Sequence, residues 1–350
     1  RKEGAGTLVL AGANTYTGTT TVNTGTLEVT NGTGLGTTAG GTIINDGASL
    51  LITGVSVGAE AVNLTGTGVS GGGALQGSGT ASLSGNITLT GDTRIESTGG
   101  TLTLSGAIGE TGGARNLTTG GDNTILLSGT NTFTGSVTLD ESVTLQLQNS
   151  ATIADTATVT LASAATTLEL VSNETIGRLA SSVAGSVDLN ANTLTLDGNA
   201  SSSTFDGVIS GVGGNLSKTG TDTFTLTGAS AYTGTTTISG GTLLVNGSIA
   251  AGVSVSIEGG TLGGSGTVNS PVLMTAAGGS IAPGTSPGIL TVDGNVVFDG
   301  AGSFDVEIDG PAVGTGYDQL LVTGALRTVT TNGASLNVIP TSAAAGATFT

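Results

Sequence analysis

Apolar and polar residues alternate in short runs from the start of the chain. Gly4 to Val29 reads GAGTLVLAGANTYTGTTTVNTGTLEV and holds two such runs, Leu8-Val9-Leu10 and Leu27-Glu28-Val29, parted by Gly, Asn and Thr. Similar runs follow throughout: TIIN, SLLI, ASLSG, ITLTG, TLTLSG, VTLQL, TLELV, TLTLDG, TLLVN, VSVSI and ILTV. Most alternate with period two and stop at Gly, Asn or Asp, the mark of short strands starting about every 8–12 residues. No convincing 3.6-residue period extends far enough to predict a helix, and Thr, Val and Gly stand where a helix would carry Ala, Leu, Glu and Lys.

The spacing of these runs predicts how they pack. Leu8 and Leu10 precede Leu27 and Val29 by 19 residues, Ile125 and Leu127 precede Leu145 and Leu147 by 20, and Phe224 and Leu226 precede Leu243 and Val245 by 19. All-β spacing alone fits antiparallel sandwiches or a parallel β-helix. A recurrence of this length matches one coil of a solenoid, and strands short, alike and poor in aromatics suit like stacking on like at about 4.8 Å per rung. The expected fold is therefore all-β, a right-handed parallel β-helix forming a single elongated domain. Leu8 and Leu10 should lie beneath Leu27 and Val29, with Val9 and Glu28 outward and Gly12, Gly18 and Gly25 as corners of unusual φ.

A longer unit is visible too. Ser105 to Gly135 aligns with Asp206 to Gly234 over its whole length, with a two-residue deletion, and a diverged Thr/Ser/Ala-rich section, Leu145 to Asn190, lies between. All five prolines follow residue 270, so residues 1–270 are free to stack without interruption, and residues 271–350 should have fixed corners. Pro283 to Gly288 reads as a rigid double turn ahead of the strand Ile289 to Val292, with further strands at Asn295 to Phe298, Ser303 to Ile308 and Gln319 to Val322.

Composition narrows the partners. Gly is 64 of 350 residues, mean hydropathy is +0.30, and the apolar content is aliphatic, enough for a long thin core. Seven basic against 24 acidic residues give a net charge of −17, and the basic residues are scattered, so no nucleic-acid partner is expected. Without Cys there is neither disulfide nor thiolate site. No stretch approaches the ~18–20 apolar residues of a membrane-spanning helix. Arg1-Lys2-Glu3 runs straight into the repeat without an apolar segment, which reads as a piece cut from something longer, carrying no signal peptide of its own.

The repeat resembles the autotransporter-associated β-strand repeat of passengers secreted by the type V route. Gly4, Gly6, Leu8, Leu10, Gly12, Asn14, Tyr16, Gly18, Thr20, Val22, Gly25 and Leu27 match its pattern. A second copy around 218–245 matches with Ser230 in place of the Asn. A third, around 119–147, keeps Asn131, Phe133 and Gly135 but departs at Asp140-Glu141-Ser142. Ser280 to Asp309 and Tyr317 to Val322 are similar to the C-terminal passenger region that lies near an autochaperone segment in this family. The resemblance implies a secreted or cell-surface, outer-membrane-associated passenger acting as stalk, adhesin or filament component. It also implies an outer-membrane β-barrel translocator in the full-length chain, and host-surface, neighbouring-cell or glycan partners. One such fold carries adhesins, proteases and inert stalks alike, so activity does not follow from it.

The residues themselves argue against catalysis. There is no His, which removes His-based triads, His metal sites and the commonest general base. No catalytic or cofactor residue is expected, and no cofactor. The alternative is a carbohydrate-active β-helix enzyme, a polysaccharide lyase or hydrolase, which needs carboxylates and a base on one solenoid face. Asp92, Arg94 and Glu96 alternate on one strand and come nearest, though a solvated exterior with mutually neutralising charges explains them; Lys218 and Asp222 form no tighter group. A third reading is a Ca²⁺-stabilised binding module at Asp305, Glu307 and Asp309, which alternate with Phe304, Val306 and Ile308 and would repel one another. An exposed acidic strand explains the same pattern, so no metal site is expected. Asn14 and Asn131 suit corner backbone groups. Tyr16, Phe133 and Tyr232 share one repeat position and suit packing. Threonine runs such as Thr19 to Thr21 and Thr235 to Thr237 would form an ice-binding hydroxyl array only in register on consecutive rungs. With repeat copies about 100 residues apart, no such array is expected.

Overall fold

The computed structural model describes residues 1–149, 153–198, 201–252, 254–275, 277–285, 287–323 and 329–340. Ser286 in the expected double turn, Arg327, and residues 341–350 of the C-terminal section lie outside the described residues. The chain is all-β, with parallel strands stacked as a β-solenoid of about 14 turns. Among the described residues, helix is limited to one 3₁₀ turn, Val69–Gly71. Backbone contacts divide it into two compact units, Arg1–Ile176 with Gly185–Val187, and Gly177–Ala184 with Asp188–Thr350.

The first repeat behaves as its spacing predicts. Strand Thr7–Leu10 pairs in parallel with Gly25–Val29, setting Leu8 against Leu27, Val9 against Glu28 and Leu10 against Val29. In the same way Ile125 lies on Leu145 and Leu127 on Leu147, and Phe224 on Leu243 and Leu226 on Val245. Rungs between the repeats keep the register while changing length. Leu27 stacks on Leu50 and Leu50 on Leu75, steps of 23 and 25 residues, because the excess is absorbed in corners rather than in strands.

Period-two alternation sends one side chain in two to the interior, and stacking makes these into columns. Ala81, Leu102, Ile125, Leu145 and Leu168 form one, and Leu83, Leu104, Leu127, Leu147 and Leu170 the next, all buried. In the second unit Phe224, Leu243, Leu262 and Ile281 form another. Each such side chain contributes roughly 1.5–3 kcal/mol by leaving water, so the core is a sum of many equal terms rather than one centre.

Glycine matters at fewer corners than the repeat suggests. Gly12 and Gly18 sit at bends, but neither has positive φ and a Cβ on either would meet nothing within 4 Å, contrary to expectation. The demand falls on Gly25 and its repeat equivalent Gly241, with φ of 68° and 57°. A Cβ on Gly25 would lie 2.5 Å from the Gly4 carbonyl oxygen, and one on Gly241 would lie 2.5 Å from that of Gly220. The prolines, expected at corners, also enter strands: Pro283 ends Gly279–Pro283 and Pro340 ends Ser335–Pro340. An end position suits a residue that cannot donate onward.

Gly241→Ala should therefore lower stability by at least ~1–2 kcal/mol, whereas Gly12→Ala should stay within about 0.5 kcal/mol of the parent. Paired urea unfolding curves check both.

Candidate functional site

The charged side chains collect at the corners. Lys2 is buried, and its Nζ donates to the carbonyl oxygens of Gly4 (2.6 Å) and Thr24 (2.8 Å). Its repeat equivalent, Lys218, is 1% exposed, donates to the Gly220 carbonyl, and pairs with Asp222 at 2.6 Å, the aspartate side chain being 4% exposed. The expectation that Lys218 and Asp222 form no close group is thus overturned. At the end of the strand Asn215–Lys218 the ammonium supplies a donor to the Gly220 carbonyl just beyond it, which would otherwise be buried without one. A cation in such a place is stabilised by full coordination and is withdrawn from any ligand.

The Asp92, Arg94, Glu96 trio also departs from a solvated strand exterior. Ile87–Thr98 is one continuous strand whose register shifts between Leu89 and Thr93. The shift puts Asp92 apart, where its Oδ1 accepts from the Asn116 backbone N–H at 2.9 Å and its Oδ2 from the Asn116 amide at 3.1 Å. Arg94 and Glu96 fold against each other at 2.6 Å with side chains only 10% and 12% exposed. Two rungs on, Asp140 (3.2 Å) and Glu141 (2.7 Å) complete the shell around the guanidinium. Burial opposes the charge of Arg94, yet Glu96, Asp140 and Glu141 outweigh it and hold its pKa above the ordinary value.

Local features make room for this cluster. A Cβ on Gly120 would lie 2.8 Å from the Arg94 guanidinium carbon. Glu141, where the repeat loses its Gly, takes φ of 58°, and its Oε2 accepts from the Gly121 N–H at 2.6 Å. The left-handed backbone, costly for a residue with a side chain, is held by this bond and by the ion pair to Arg94. Sequence reading missed Asp140 and Glu141 as partners of Arg94; the one signal was the break in the repeat at that point.

The acidic strand Gly302–Ile308 carries Asp305 and Glu307 outward of Val306, as alternation predicts. They line a cleft of about 290 Å³ together with Asp318. Asp318 is buried and serves the backbone, accepting from Gly288 N–H at 2.7 Å and Glu307 N–H at 2.8 Å. Asp305 accepts from the Asn337 amide at 2.6 Å, and Asp309 is exposed and donates its N–H to Gly316 O at 2.6 Å. Among the described residues, no three His, Cys, Asp or Glu side chains are placed to hold a metal ion.

The repeat's polar and aromatic positions support the backbone. The Asn14 amide donates to Gly34 O at 2.7 Å, and Asn131 Oδ1 accepts from Ile108 N–H at 2.7 Å. Phe133 and Tyr232 are buried, while Tyr16, on the first rung, is 39% exposed. Tyr16 and Tyr232 each share a hydrogen bond with the threonine four residues on, Thr20 (2.9 Å) and Thr236 (2.6 Å). Burial pushes the Tyr232 phenol well above its ordinary pKa.

The Passenger-associated-transport-repeat family matches residues 1–29 and 216–245, the two copies that hold Lys2 and Lys218. Over 263 residues, 73% of the chain, the sequence is 36% identical to the adhesin BmaC autotransporter of Brucella suis biovar 1 (strain 1330). Repeat, relative and parallel solenoid all fit an autotransporter passenger. The matched part spans 7% of that adhesin's length. No solved structure matches the chain. In this passenger the six described basic side chains are all engaged. Besides Lys2, Arg94 and Lys218, Arg1 pairs with Glu3, Arg115 donates to Thr111 O and Gly112 O, and Arg178 donates to Ser201 O.

Lys218→Met should destabilise the passenger by about 3–5 kcal/mol, because it strands Asp222 in the interior; adding Asp222→Asn should recover part of the loss in urea titrations. Two carboxylates should respond to pH in opposite ways. Glu60 is buried with Thr42 Oγ1 donating to it at 2.7 Å, and burial raises its pKa despite that bond. The folded state therefore binds the extra proton, and stability falls as pH rises from the ordinary glutamate range through the raised value. Glu60→Gln should remove that slope and raise the melting temperature at pH 7. Glu110 is held below its ordinary value: burial opposes this, but Thr134 Oγ1, the N–H groups of Arg115 and Thr134, and the Arg115 charge prevail. Its contribution is present above the ordinary range and is lost on acidification, so Glu110→Gln should lower the melting temperature at pH 7 and converge with the parent in acid.

Proposed function

We propose that the chain is a structural and adhesive segment of a passenger displayed at the surface of an outer-membrane-bearing cell. The observation that carries this reading is the 36% identity to an autotransporter adhesin, borne on rungs that stack in register. The full-length protein brings an outer-membrane β-barrel translocator, and the passenger meets host surfaces, neighbouring cells or their glycans. A non-catalytic role is supported by a chain without His or Cys whose described basic side chains all serve ion pairs or backbone carbonyls. An enzyme of the lyase type needs a base free to meet substrate, whereas here Lys2 and Lys218 serve backbone carbonyls and Arg94 is held by three carboxylates.

In-frame deletion of this segment from the full-length protein tests the proposal. Surface labelling should still detect the remaining passenger, and attachment to host cells should fall. Undiminished attachment would rule out the adhesive role, and a passenger absent from the cell surface before deletion would rule out the location.

A further inference from the structure

Outward residues on most strands are mixed. One outer column runs Val9, Glu28, Leu51, Gln76 and Glu96, and another runs Ser82, Thr103, Leu126, Gln146 and Glu169. One sheet of the second unit differs in setting two hydroxyl or amide columns side by side, where the sheet of Thr223, Thr242, Thr261, Ser280 and Ser303 has one. Four consecutive rungs carry Thr193-Leu194-Thr195, Asn215-Leu216-Ser217, Thr235-Thr236-Thr237 and Ser254-Val255-Ser256. Thr195, Ser217, Thr237 and Ser256 stack in one column. The column beside it, Thr193, Asn215, Thr235 and Ser254, continues through Leu216 N–H to Thr235 O (3.1 Å) and Thr236 N–H to Ser254 O (3.0 Å). The middle residue of each rung is buried, so all eight flanking side chains lie on the outer face.

The first unit repeats the arrangement over three rungs, Asn116-Leu117-Thr118, Ser136-Val137-Thr138 and Thr158-Val159-Thr160. Asn116 and Asn215 are equivalent in the longer repeat, and each sets the next rung through its Oδ1, which accepts from Ser136 N–H and Thr235 N–H at 2.9 Å. In-register hydroxyls, not expected from the sequence, thus arise where repeat rungs such as Ser136-Val137-Thr138 and Thr235-Thr236-Thr237 stack on rungs outside the copies, Thr158-Val159-Thr160 and Ser254-Val255-Ser256.

Rung spacing of about 4.8 Å and a two-residue step of roughly 6.6 Å make each face a flat grid of hydroxyl and amide groups. Each group both donates and accepts. No grid position carries a charge in a chain of net charge −17, and the carboxylates that border the grids, Asp92 bonded to Asn116 and Glu258 bonded to Ser256, disfavour an anionic ligand. It carries no aromatic ring, so a single sugar would gain little, and useful affinity requires many weak contacts at once from a ligand that repeats. Half of the eight positions in the second unit are Ser or Asn, which lack the methyl that would favour an ordered water surface over a hydroxylated one.

We propose that these two grids are docking faces for a neutral, repeating polysaccharide. The inference rests on the adhesive reading above and names the chemistry of its target. The intact 350-residue protein would be incubated with insoluble cellulose and chitin at high salt, alongside the double variant Thr138→Lys/Thr237→Lys and the control Thr225→Lys, which alters a different outer column. Melting curves would check that all three are folded. Retention of parent and control on at least one polysaccharide, with a tenfold or greater loss in the double variant, is the expected result. No retention of the parent, equal retention of both variants, or partition into growing ice without polysaccharide binding would overturn it. Cell attachment that persists while the double variant behaves as the parent would overturn the grid proposal and leave the adhesive role standing.

Discussion

Register is the constraint on which everything else in this molecule depends. Each described strand is two to twelve residues long and donates its hydrogen bonds to the rung beside it, so no strand is stable alone. A slip of one residue would exchange Leu27 with Glu28 at the core face and put every apolar column into water. Register is fixed locally by alternation and across rungs by side chains that reach the next backbone. Asn116, Asn131 and Asn215 each accept a neighbouring rung's N–H, and Glu110 and Glu141 do the same at corners. The corners absorb variation in rung length, which lets the strands stay aligned while the loops drift in sequence.

Polar groups at the corners face a different problem. A carbonyl that leaves the ladder at a corner still needs a donor, and a buried ammonium is a compact one. Lys2 and Lys218 do this in equivalent copies, and the tight passage beside them is why Gly25 and Gly241 have no side chain. In the middle copy Thr119 stands where the lysine would be, and the corner is instead closed from the previous rung by Arg94 with Glu96, Asp140 and Glu141. Two chemical solutions therefore serve one geometric need, and both consume cations that a catalytic reading would have wanted free.

The solenoid was legible because it is written twice, in period two within strands and in the 19- to 20-residue return of Leu8, Ile125 and Phe224. Packing of Phe133 and Tyr232 followed from their shared place in the repeat. Arg94 was misread because two of its partners lie 46 and 47 residues on, and nothing in a strand's own alternation announces a partner two rungs away. Gly12 and Gly18 look as fixed as Gly25 in the motif, yet only the last occupies a left-handed backbone against a carbonyl. The hydroxyl grids escaped because the rungs that complete them carry no motif. Ser254-Val255-Ser256 and Thr158-Val159-Thr160 become neighbours of repeat residues only once the coil is closed.

The inward turn of the cations also changes how the molecule meets others. Lys2, Arg94 and Lys218 are three of only seven positive charges, and all three are spent beneath the surface while most carboxylates face solvent. An approaching body senses a coat more uniformly negative than composition suggests, effective over about 8 Å at physiological ionic strength. Copies of the chain brought close together repel one another. Any other anionic surface is likewise held off.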